Sequence, residues 1–390
     1  MPRILIDARS IADEHSGGVG RAARFWITSC NTKHVTRNID PSSVTESPFI
    51  ILADAGIQYN KLEQVDSTGS LRLRRKDDKR GGMTSPEDDR EEVVCVTTGL
   101  RPSPAVQDFC EQNKYKYLHL RIPNKLWTSL ALMRIVSLSR VAEKRVGKID
   151  LVLLPNIGFI GRMHRPYHLL VHDLSFLIEP RWFSIKRRFW HKLLPVKRLI
   201  EQATHLDCVS EQTRHDVIKL FNVNSDKTTV IPPMNFGITA SYDRRPQWLP
   251  MEVKQFALLL GGSDARKNIR TGLQAISTFN MQHSTYNLVP VVLGGKVKCD
   301  DKNCPLEYIQ APDLVDDVEL RFLYKYCTML IYPSWYEGFG LPLHEATQFH
   351  APCIASTAGA LPQTAPRGTL FCHPAKVNEW VMAIERIVLG

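Results

Sequence analysis

The chain has 390 residues, 43% hydrophobic and 23% charged, a soluble globular composition with room for two domains. No apolar run approaches the roughly 18 residues of a membrane helix, and MPRILIDARS lacks the apolar stretch of a secretory leader. The net charge of +10 lies wholly in residues 1–240, since 241–390 carry 14 basic and 14 acidic residues, and such a basic half suits an anionic partner.

Arg3–Asp7 reads as a strand, followed by Ser16-Gly17-Gly18-Val19-Gly20-Arg21 and an apolar, helix-like stretch. Strand, glycine turn and helix start make a unit that receives phosphate on free backbone N–H groups. Pro48–Ala53 and Val93–Val96 are further candidate strands, and 66–92, polar and mixed in charge, is expected to be a mobile insertion. Asp150–Pro155 and His168–Asp173 follow as strands, 184–204 as one helix, then Asp207–Ser210 and Thr228–Ile231 as strands. Ser241–Pro250, with two prolines among polar residues, is the expected linker.

A second alternation then begins with Phe256–Leu260 as a strand and Gly261-Gly262 behind it. Asn268–Phe279 reads as a helix, Leu288–Gly295 as a strand, Leu314–Lys325 as a helix with acids near its start, and Met329–Tyr332 as a buried strand. Pro352–Ser356 is another strand and Val377–Leu389 the closing helix. Alternating strands and helices predict an α/β protein of two Rossmann-like domains, 1–240 and 251–390, whose parallel sheets face each other across a cleft.

The most informative stretch is IYPSWYEGFGLPLHEA, residues 331–346. Pro333-Ser334 ends the strand, Gly338 and Gly340 make a loop, and Pro342 suits the first turn of a helix. Glu337 precedes the loop and Glu345 lies in the helix. Beside an anion site two carboxylates repel a bare phosphate, so accepting sugar hydroxyls fits them better. Arg266-Lys267-Asn268, between a strand and a helix, offers a planar fork and a point charge suited to a diphosphate. His172-Asp173 ends a strand, where open α/β sheets bind ligands. Ser210 serves as readily for an N-cap as for a ligand contact.

These motifs together resemble the retaining glycosyltransferases of family 4, of the GT-B fold, along nearly the whole chain apart from 66–92. The resemblance implies that Glu337 contacts the donor sugar and Glu345 the ribose, with Gly338, Phe339, Gly340 and Leu341 beside sugar and phosphates. It implies that Arg266 and Lys267 stabilise the leaving nucleoside diphosphate, that His172 touches the donor sugar, and that Gly17 and Gly18 lie near the phosphates. One departure is Gln363, where many relatives carry an acid.

The expected reaction is hexose transfer, mannose favoured with GDP-mannose as donor, to a glycan or lipid-linked acceptor in cell-surface polysaccharide synthesis, with configuration retained. A sugar-nucleotide epimerase or hydrolase, or a non-catalytic sugar-nucleotide-binding protein, would use the same cleft. No metal motif of the Asp-x-Asp kind sits at a strand end, which suits an enzyme without metal or cofactor. Nine cysteines, with Cys299 and Cys304 the only close pair, give no disulfide framework or zinc site and suit reduced thiols in the cytoplasm.

Two basic stretches remain. Arg181–Arg198 has seven basic residues, no acids and two tryptophans, and Arg121–Asp150 has seven basic and two acidic residues around Leu126, Leu130 and Met133. Each reads as a domain helix with a solvated basic face or as a surface for anionic lipid at the inner membrane face. No nucleic-acid module is visible.

Overall fold

The structure is a computed structural model, described for residues 2–12, 17–29, 92–233, 237, 238, 240–297 and 307–390. The expected strand at 48–53, nearly all of the expected insertion, and the Cys299–Cys304 pair lie outside the described residues.

Thirteen strands among the described residues form two sheets, every pairing parallel. The first contains β1 (Arg3–Asp7), β2 (Glu92–Thr98), β3 (Lys116–Leu120), β4 (Leu151–Leu154), β5 (Tyr167–Val171), β6 (His205–Cys208) and β7 (Thr228–Val230), in the order 3-2-1-4-5-6-7. The second contains β8 (Phe256–Leu260), β9 (Val289–Leu293), β10 (Ile309–Gln310), β11 (Met329–Tyr332), β12 (Cys353–Ser356) and β13 (Leu370–Cys372), in the order 10-9-8-11-12-13. Both are doubly wound, with the order reversing between β1 and β4 and between β8 and β11. In open α/β sheets ligands bind at such a switch point, beyond the carboxyl ends of the strands.

The period-2 alternation of the central strands fills both faces of the second sheet. Leu258, Leu330, Tyr332 and Ala355 enter one buried cluster, while Ala257, Leu259, Met329, Ile331 and Ile354 enter another on the opposite face. The first sheet has its own cluster, built on Leu5, Val94, Val152, Leu154, Leu169 and Leu206. Six described cysteines are free and buried.

Two expectations change. The single helix at 184–204 is two, Ile185–Leu193 and Val196–Gln202. Pro195 causes the break, because it has no N–H to donate and forces Leu194 into the extended region. The stretch 121–150 likewise forms two helices, Asn124–Leu132 and Leu138–Val146. In the first, Trp127 and Ala131 turn inward, whereas Leu126 and the following Met133 are exposed. No helix among the described residues is long and apolar enough to cross a membrane.

The segment from 240 to 253 is held against the second sheet's helix Asp317–Tyr326. Arg321 donates to the Ala240 carbonyl, Lys325 pairs with Asp243, and Arg244 with Asp316, at 2.8, 2.8 and 2.7 Å.

Candidate functional site

The carboxyl ends of β8 and β11, which flank the second switch point, carry the Arg266-Lys267 turn and the Glu337 loop. After β8 the chain makes a 3-10 turn, Ala265–Lys267, capped by Asp264, whose carboxylate accepts the Arg266 N–H at 3.0 Å. Asn268 then adopts φ 54° and donates to the carbonyls of Pro333 and Pro374 at 3.0 and 2.9 Å, fastening the turn to the end of β11. The Trp335 N–H reaches the Arg266 carbonyl at 2.8 Å, which locks the two loops together.

Both cations meet on one carboxylate. Arg266 Nη1 lies 3.1 Å from Glu337 Oε2, and Lys267 Nζ 2.7 Å from Glu337 Oε1. Lys267 also donates to the Tyr332 hydroxyl at 2.6 Å, and Arg266 to the Tyr336 carbonyl at 3.0 Å. Burial alone would raise the pKa of Glu337, but the Lys267 and Arg266 charges together outweigh it and bring the value down to about 2. Burial likewise opposes the charge on Arg266, and the Glu337, Asp173 and Asp264 carboxylates outweigh it, so the guanidinium is held more firmly protonated than usual. Arg266 Nε, although buried, has no hydrogen-bond partner among the described residues. It is a donor in need of an acceptor, in a fork that otherwise matches carboxylate or phosphate oxygens.

Glu345 is buried in the helix Leu341–Thr347, and the Tyr324 hydroxyl donates to its Oε2 at 2.9 Å. Tyr332 lies within the electrostatic reach of both Glu337 and Glu345. Between them Gly340 sits at φ 99°, a conformation side chains resist, and starts the helix at Leu341. Phe339 is buried and stacks on His344, with ring centroids 5.0 Å apart. The helix ends after seven residues, because the backbone turns at Gln348–His350, where His350 takes φ 59°.

The loop also touches the first sheet. A Cβ on Gly338 would stand 2.0 Å from the His172 carbonyl oxygen and 3.1 Å from Asp173 Cβ, so only glycine fits this approach. The backbone of His172 therefore meets the Glu337 loop. The His172 Nε2 donates to the Pro155 carbonyl at 2.8 Å, since a carbonyl can only accept, which leaves Nδ1 as an acceptor. Burial is the main influence on this imidazole and lowers its pKa despite the Pro155 carbonyl and Asp173. A neutral ring follows at pH 7. Asp173 caps the next turn, accepting from the Ser175 N–H and hydroxyl at 3.0 and 2.6 Å. Gly17 and Gly18 open the helix Gly17–Ser29 after β1, at the carboxyl edge of the first sheet.

Several contributors escaped the sequence reading. Tyr336 donates to Asp216 across the two sheets, and Thr213 Oγ1 lies 3.3 Å from the His172 carbonyl and 3.5 Å from that of Gly338. Nothing local in the sequence links residues 120 positions apart. Asp264 was legible in principle, as an Asp immediately ahead of a turn that needs a cap. Ser210 resolves as an N-cap, accepting the Thr213 N–H at 3.1 Å. Among the described residues no group of His, Cys, Asp and Glu could hold a metal ion.

Residues 243–390 match the family described as glycosyl transferases group 1. Along 241 residues the chain is 30% identical to the O-antigen chain mannosyltransferase B of Escherichia coli, an alignment covering 57% of this chain and 61% of that protein. It is 27% identical over 228 residues to the O-antigen chain mannosyltransferase RfbU of Salmonella typhimurium, covering 56% of this chain and 60% of that one. The chain thus spans 61% and 60% of the length of these curated relatives. Among solved structures, sucrose-phosphate synthase from Thermosynechococcus elongatus superposes with a TM-score of 0.60 at 16% identity, covering 100% of this chain and 90% of that one. The expected fold is therefore present: two Rossmann-like units in the GT-B arrangement.

Proposed function

We propose that the chain is a retaining glycosyltransferase of family 4 that moves a hexose, mannose in the first instance, from a nucleoside diphosphate sugar to a glycan or lipid-linked acceptor. The observation that carries the reading is the convergence of Arg266 and Lys267 at the switch point of the second sheet, with the Arg266 Nε donor unmet among the described residues. Two fixed cations stabilise the charge that develops on a departing diphosphate. Glu337, held ionised, accepts hydroxyls of the donor sugar, and Glu345 those of the ribose. Neutral His172, with Nδ1 free of the Pro155 contact, accepts a further sugar hydroxyl. The donor rests on Gly338, Phe339, Gly340 and Leu341, and Gly17 and Gly18 face its phosphates from the first sheet.

The relatives named as O-antigen mannosyltransferases support mannose and cell-surface polysaccharide synthesis. We divide the chain at 241–250, with the acceptor on the basic first domain. The enzyme works in the cytoplasm, peripheral on the inner face of the membrane. The test is incubation with GDP-mannose and other nucleoside diphosphate sugars, with and without glycan acceptors, followed by product analysis and anomeric assignment by NMR. An α-linked product that appears only with acceptor supports the reading. Rapid epimerisation or hydrolysis without acceptor refutes transfer, and an inverted product refutes retention.

A further inference from the structure

The helix Ile185–Leu193 is mounted with its polar side on the protein. His191 packs between Phe176 and Phe183, with ring centroids 4.8 Å from each, and Arg188 donates to the Phe183 carbonyl at 2.9 Å. On the other side Ile185, Phe189 and Trp190 are 84%, 63% and 42% exposed, and no residue of the helix is buried. A domain helix does the reverse and presents its apolar stripe to the core. The ordinary reading of this stretch, a solvated basic face over a buried apolar one, is thus excluded by the direction in which the side chains point.

The helix Asn124–Leu132 and the residues after it carry further exposed apolar side chains. Phe159 meets the Trp190 ring edge-on at 5.6 Å, and its carbonyl accepts from Trp127 Nε1 at 3.0 Å, which brings the helix Asn124–Leu132 alongside. There Leu126, Met133 and Ile135 are exposed. Exposed large apolar side chains gathered on the outward side of one helix mark an interaction site. Its charge selects the partner. Lys186, Arg187 and Lys192 are exposed and pair with no carboxylate among the described residues, and the helix contains no acid. The nearby Glu179 is spent on Arg181, through hydrogen bonds of 2.8 and 2.7 Å.

We propose that this face docks on an anionic phospholipid bilayer, with Ile185, Phe189 and Trp190 entering the headgroup boundary while Lys186, Arg187 and Lys192 meet lipid phosphates. Outward aromatic and aliphatic groups interleaved with cations are what such an interface rewards, and an acidic protein would not need the protruding Ile185 and Phe189. The docking face rests on the peripheral placement proposed above and can fail independently of transfer, because vesicle binding needs no donor.

The test is sedimentation of the full chain with vesicles of phosphatidylcholine alone and of phosphatidylcholine mixed with phosphatidylglycerol, at low and high salt. Binding is expected on the anionic vesicles only, weakening as salt rises. Lys186→Glu with Lys192→Glu should weaken it at least about thirtyfold, from roughly a fivefold contribution per cation at the surface. Phe189→Ser with Ile185→Ser should also reduce binding, while transfer to a water-soluble acceptor stays at the parent rate in both variants. Equal binding to neutral vesicles, no binding to anionic ones, or self-association abolished by Phe189→Ser without vesicle binding would each overturn the proposal. Loss of transfer in the parent chain with vesicle binding intact would instead count against the transferase reading alone.

Discussion

Replacing Glu337 by glutamine separates its role as counter-ion from the sugar-binding role proposed above. Glu337 is the counter-ion of Arg266 and Lys267, at 3.1 and 2.7 Å. Holding this carboxyl at about 2 against an ordinary 4.5 corresponds to about 3 kcal/mol of differential interaction. Because the folded value lies below the unfolded one, this stability is complete above pH 4.5 and is lost as pH falls toward 2. Glu337→Gln keeps the shape, removes the charge and leaves two buried cations facing each other. Its second half should melt about 6–12 °C lower at neutral pH, from 2–4 °C per kcal/mol for a domain of that size. The deficit against the parent should shrink as both are acidified. A nucleoside diphosphate restores the missing negative charge, so it should stabilise the variant more than the parent and bind at least as tightly. Transfer should nonetheless fall about 100- to 1000-fold, the loss typical of one group that stabilises the transition state. Scanning calorimetry, titration of GDP and initial rates measure the three quantities. Weaker GDP binding in the variant would refute the reasoning, since it would make Glu337 part of the nucleotide site instead of a stand-in for the nucleotide's charge.

Gly338→Ala forces a Cβ to within 2.0 Å of the His172 carbonyl, and transfer should drop at least about tenfold with about 1–3 kcal/mol of lost stability; parent-like kinetics would show that the loop and strand end do not meet. Tyr336→Phe and Asp216→Asn should each cost about 1.5–3 kcal/mol, and a double-mutant cycle by urea unfolding should find them coupled, whereas additive effects would deny the contact. Ser210→Ala removes the N-cap of Glu211–Phe221 and should cost about 1 kcal/mol in the same assay, with an unchanged midpoint as the contrary result.

Much of the second sheet and its loops was legible because the signals are local. The apolar runs of β8 and β11, the glycine loop and Pro342 are each read within ten residues, and the structure places them as read. The Arg266-Lys267 turn was legible as a cation pair, but not as a partner of Glu337, because the sequence reading gave both sides separate ligands. Their mutual neutralisation depends on the adjacency of β8 and β11, which is a property of strand order and not of spacing. The seam from Asp216 and Thr213 to Tyr336 and Gly338 was invisible for the same reason. The break at Pro195 was present in the sequence and went unweighed against the strong basic periodicity on either side. For Ile185–Leu193 the sequence left both a domain helix and a lipid-facing surface open, since a hydrophobic stripe gives the face's composition and not its direction.

Among the described residues the apolar clusters are separate, one on the first sheet and two astride the second, and a few hydrogen bonds bridge the sheets. Cooperativity in unfolding follows shared core, so heat should take this chain apart in stages and one melting temperature will not describe it. A ligand gripped by Arg266 and Lys267 should lift only the stage that belongs to the second sheet, leaving the other as an internal thermometer.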